Sequence, residues 1–76
     1  MLERDRRRLI ECLETELPLG PYGQAHAMDV GFVLHWPLGK VLWIAQRAND
    51  RVEVWHDWLR IRLRKLGEDR LLSQEQ

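Results

Sequence analysis

The stretch 50–67 constrains this chain more than any other, because it carries two periodicities that exclude each other. Val52, Trp55, Leu59, Leu63 and Leu66 recur at spacings of three and four, which stacks them on one helical face. Asp50 with Glu53 three residues on has the form of a capping box, and Gly67 suits the left-handed residue that ends a helix. Charge runs from acidic (Asp50, Glu53, Asp57) to basic (Arg60, Arg62, Arg64, Lys65), the order that a helix dipole favours. Residues 59–64, however, alternate apolar and basic side chains strictly, as a half-buried strand does. The two end signals and the longer period predict a helix over 51–66.

Upstream, Leu2, Leu9, Leu13 and Leu17 fall near one face with Ile10 beside them, which predicts a helix over 2–17 stopped by Pro18. Pro18, Gly20, Pro21 and Gly23 then mark a loop. Two runs rich in β-branched and aromatic residues follow, from Val30 to Trp36 and from Val41 to Ala45, separated by Pro37-Leu38-Gly39, a hairpin-type turn signal. They predict antiparallel strands over 28–36 and 40–47. The expected fold class is therefore α+β: one small α-β-β-α domain over 1–67, with a polar tail over 68–76. A competing all-α reading has three helices. In it the 3-4 spacing of Val41, Ile44, Ala48, Val52, Trp55 and Leu59 continues through a long helix 38–66, after a shorter one over 24–36. Gly31 and Asn49-Asp50 in helix interiors count against it.

Either arrangement leaves apolar surface over. Two helices can cover one face of a two-stranded sheet, not both, and two long apolar stripes would seek a four-helix bundle. A homodimer resolves both cases, with Val33, Leu42, Trp43 and Ile44 as interface candidates.

For chemistry the chain offers little. Thr15 and Ser73 are its only Ser/Thr hydroxyls, and neither sits in a nucleophile elbow. Cys12, His35 and His56 could meet only by folding, since no ligand pair has the short spacing of a metal site. No glycine-rich phosphate loop is present. The expectation is a non-enzymatic protein with no cofactor and no metal, which acts on a larger protein as a regulator or inhibitor. A lone cysteine, an N-terminus without an apolar core and the lack of a bilayer-length apolar run lead to the expectation of a cytoplasmic protein that does not enter the membrane.

Four tryptophans in 76 residues exceed what so small a core encloses. Exposed Trp beside Arg is a hot-spot composition, so Trp55, Trp58, Arg51 and Arg62 are the partner-binding candidates. Twelve basic and twelve acidic residues cancel, which argues against a general polyanion binder. Local clusters are the exception: Arg4, Arg7 and Arg8 near one end, Arg60, Arg64 and Lys65 near the other. They support an alternative in which a small dimer regulates DNA or RNA.

Overall fold

Between residues 27 and 48 the buried side chains are spaced as on helices. Ala27, Val30, Gly31 and Leu34 form one buried set, Val41, Ile44, Ala45 and Ala48 the next. The computed structural model describes residues 2–20, 23–55 and 59–64. Their elements are α1 (Leu2–Glu11) running into a π-helical turn (Cys12–Glu16), β1 (Gln24–His26), α2 (Ala27–Leu34), α3 (Leu38–Arg47), β2 (Val52–Trp55) and β3 (Arg60–Leu63). The strands form one antiparallel sheet in the order β1-β3-β2. The chain is a small α+β domain, as its composition of elements suggested.

The placement of those elements corrects the expected one. Residues 28–36 and 40–47 are not a hairpin but α2 and α3. Val30, Val41 and Ile44 are the β-branched residues at the buried helical positions, and burial on a packed face outweighs their strand preference. Pro37 does not turn a hairpin. With φ −65° and ψ 153° it caps the start of α3, where a missing N–H costs nothing. The predicted helix 51–66 is, in its described part, the hairpin of β2 and β3. Asp50 does not cap a helix; its carboxylate accepts from Arg6 on α1. The N–H groups of Arg51 and Val52 both donate to the Ala48 carbonyl (2.9 Å each), which closes a turn after α3. The all-α alternative placed helices near α2 and α3 but ran the second through this turn and the sheet.

β3 lies in the centre. Ile61 pairs with Ala25 of β1 on one side and Val54 of β2 on the other. Ala25, Val52 and Ile61 join Leu9, Leu13, Val30, Val41 and Ile44 in one core, so the helices cover one face of the sheet. Cys12 belongs to this core, and burial pushes its thiol up, away from reactivity. Charged contacts pin α1 from outside: Asp5 to Lys40 of α3 (3.6 Å), Arg6 to Asp50, and Arg8 to Glu16 across the π-turn (2.9 Å).

Candidate functional site

Two surfaces carry the candidate residues. The first is the outer face of the sheet. Directly opposed residues of an antiparallel sheet share a face, and the register aligns Gln24, Arg62 and Glu53 in one row and His26, Arg60 and Trp55 in another. The Arg64 N–H donates to the Arg51 carbonyl (2.7 Å), adding those two residues as a third row. Strand alternation thus gathers on one face Arg51, Arg62 and Trp55, predicted as a protein contact, and Arg60 and Arg64, predicted as a nucleic-acid contact.

Glu53 organises this face. It accepts from Arg62 Nε (3.1 Å), Arg64 Nη1 (3.4 Å) and the Trp55 indole N–H. Arg64 Nε also donates to the Asn49 carbonyl (2.8 Å), and the Arg62 guanidinium lies 5.8 Å from the Trp55 ring centre. The hydrogen bond from Arg62, with that from Trp55 and the charges of Arg62 and Arg64, holds the Glu53 carboxyl below the usual glutamate range. A carboxyl depressed in the folded state contributes stability above its unfolded value of about 4.3, lost as pH falls through the folded value. Glu53→Gln is therefore expected to lower the urea midpoint at pH 6, with a deficit that shrinks as the pH is lowered below about 4.3. A deficit that does not shrink on acidification would contradict this assignment.

The second surface is the outer side of α2. Phe32 is 83% exposed and Met28, one turn before it, 61%. On one side of Phe32 lies a recess of about 500 Å³ lined by Met28, Gly31, His35, Trp36 and Leu38. A smaller one, about 210 Å³, lies between Phe32, Leu17, Pro18, Asp29 and Val33. The floor is fixed: Lys40 Nζ sits 4.6 Å from the Trp36 ring centre, and the Trp36 N–H donates to the Gly31 carbonyl (2.9 Å). Neither Met28 nor Phe32 stood among the sequence candidates, because a strand reading turns Phe32 inward with Val30 and Leu34.

The other candidates are scattered. Of the four predicted interface residues, Val33 lines the smaller recess and Leu42 packs against the core. Trp43 is 48% exposed with the Arg47 guanidinium 4.2 Å from its ring centre. Ile44 is buried inside the chain and has nothing to present to a partner, a correction to its assignment. Arg4 and Arg7 are exposed on α1, while Arg8 is taken up by Glu16 and Glu11. Trp58, Lys65, His56 and the tail 68–76 lie outside the described residues. Cys12 is in the core and His35 is exposed at the end of α2, so these two do not make a shared site. Among the described residues no three His, Cys, Asp or Glu side chains gather as metal ligands, and no helix is long and apolar enough to cross a membrane.

No protein family, curated protein or solved structure matches the chain.

Proposed function

We propose that the protein acts by binding, as a homodimer formed through the outer side of α2. One observation carries this reading: a phenylalanine 83% exposed beside a recess of about 500 Å³ lined largely by apolar side chains. A projection next to a hollow on the same patch is complementary to itself. A two-fold axis midway between them seats each Phe32 in the other copy's hollow. Burying one such ring contributes about 1.5–3 kcal/mol, and a two-fold interface does so twice. The patch needed is modest: a standard interface takes about 800 Å² from each partner, roughly one-seventh of this chain's 5681 Å². Zero net charge lets two copies approach without overall repulsion.

Light scattering over a range of protein concentrations tests the proposal. The mass is expected to rise from 9.1 kDa towards twice that value. Phe32→Glu is expected to remain at the monomer mass with an unchanged far-ultraviolet circular dichroism spectrum. Truncating a central aromatic anchor costs at least about 2 kcal/mol, and a buried unpaired carboxylate adds to it, so dimer affinity should fall by at least about 30-fold. A wild-type protein that stays monomeric throughout the range would refute self-association.

A further inference from the structure

We propose that Met28 is an oxidation site, and that its conversion to the sulfoxide dissociates the dimer. This rests on the Phe32-mediated dimer and adds a means of switching it. Sulfur occurs at three places in the chain, Met1, Cys12 and Met28. The two described ones differ in access. Cys12 has no accessible surface, and burial pushes its thiol up, away from the reactive thiolate. Met28 is 61% exposed in the single chain. A thioether has no proton to lose before it reacts, so access decides its oxidation. Its place is fixed as well as open. The Met28 N–H donates to Nδ1 of His26 (3.1 Å), the residue that caps α2, and the Ala27 N–H between them donates to the Leu59 carbonyl (2.8 Å). The side chain borders the larger recess with Gly31, His35, Trp36 and Leu38, one turn before Phe32. In the single chain it stands in solvent, and in the dimer it becomes part of the wall against the partner copy's ring. A group open before association and covered after it couples oxidation to assembly.

The step is an oxygen transfer from hydrogen peroxide. A sulfur lone pair attacks one peroxide oxygen, the S–O bond forms and the O–O bond breaks. The departing hydroxide takes the remaining proton from the transferred oxygen and leaves as water. Sulfur loses two electrons and the peroxide gains them. The product replaces an apolar, adaptable side chain by a polar one with a strong acceptor oxygen. In the single chain water hydrates that oxygen. Against a phenyl ring it loses the water and carries the desolvation cost of an unsatisfied acceptor. Two-fold symmetry imposes this cost twice, so dimer affinity should fall by at least about 30-fold. The fold is spared, because Met28 stands outside the core.

The test treats the full chain with hydrogen peroxide and follows its mass by light scattering, at a concentration where the untreated protein is dimeric. Peptide mass mapping is expected to find an added oxygen on Met28 and none on Cys12. The oxidised protein should return to the monomer mass of 9.1 kDa with an unchanged far-ultraviolet circular dichroism spectrum. Methionine sulfoxide reductases, one for each sulfoxide epimer, should restore the dimer with a dithiol as electron donor; the dithiol becomes a disulfide and the oxygen leaves as water. Met28→Leu, close in volume and without sulfur, should stay dimeric before and after peroxide. That variant keeps Met1, so it controls for oxidation elsewhere. If Met28→Leu does not dimerise at all, restoration by the reductases carries the test. In wild type the oxidation of Met28 should slow as rising protein concentration fills the dimer, and in Phe32→Glu its rate should be the same at every concentration. Resistance of Met28 to peroxide in the monomeric Phe32→Glu overturns the proposal, as does dissociation of Met28→Leu on the same treatment. A dimer that survives oxidation of Met28 defeats this switch alone. A protein that is monomeric before treatment at every concentration defeats the dimer and the switch together.

Discussion

Ile61→Ala is expected to lose about 2–5 kcal/mol of folding free energy, the range for truncating a fully buried isoleucine. Ile61 has no accessible surface and is paired on both sides, by Ala25 and by Val54. Its side chain fills the space where the central strand meets the helices, and strands on either side hold the backbone, so the cavity cannot close by collapse. A domain of 76 residues has about 4–11 kcal/mol in all, so this one change removes a large share of it. Phe32→Ala is the matching control. In a strand reading Phe32 belongs to the core, and its loss would cost about 3–5 kcal/mol. Its actual 83% exposure predicts a change within about 0.5 kcal/mol. Both variants should be unfolded in urea at a concentration dilute enough to keep the monomer, since association would add to the apparent stability. A larger loss at Phe32 than at Ile61 would contradict the arrangement of the fold.

Sequence alone showed part of this architecture. The first helix and its stop before Pro18 were legible because the leucines keep one face and proline ends it locally. The strict alternation of residues 59–64 was legible too, yet it competed with a helical period running through the same leucines. What decides between them is β1, only Gln24, Ala25 and His26, which pairs with β3 from some 36 positions away. Three residues without an apolar pattern give no local sign of a strand, so nothing in the sequence announced that Ile61 would lie at the centre of a sheet. The site suffered the same way. On a helix Arg60, Arg62 and Arg64 point in different directions. On β3 they share one side, and this merges two separate sets of candidates into one surface. Met28 and Phe32 lie one turn apart on α2, a relation that has no meaning until residues 27–34 are helical.

Gly31→Ala is expected to destabilise the protein by up to about 2 kcal/mol, against the usual helical preference. In an open helix interior, alanine is favoured over glycine by about 1 kcal/mol. At this position an added methyl would stand 2.7 Å from the Trp36 carbonyl oxygen, closer than carbon and oxygen can pack, and 3.4 Å from a methyl of Val41. The near neighbour is backbone, so no side-chain rotation relieves the contact. Nor can the chain shift freely, because the Gly31 carbonyl accepts from the N–H groups of both His35 and Trp36, with His35 in the left-handed conformation at φ 59°. Pro37 then follows directly and starts α3, which makes the connection between the helices rigid on both sides. Overpacking of this kind costs about 1–3 kcal/mol, enough to outweigh the gain in propensity. Moving Trp36 would also reshape the hollow proposed to receive Phe32. The variant should therefore show a lower urea midpoint in dilute solution and a weaker rise of mass with concentration. A midpoint raised by the full propensity gain would mean that α2 and the start of α3 do not approach each other as described.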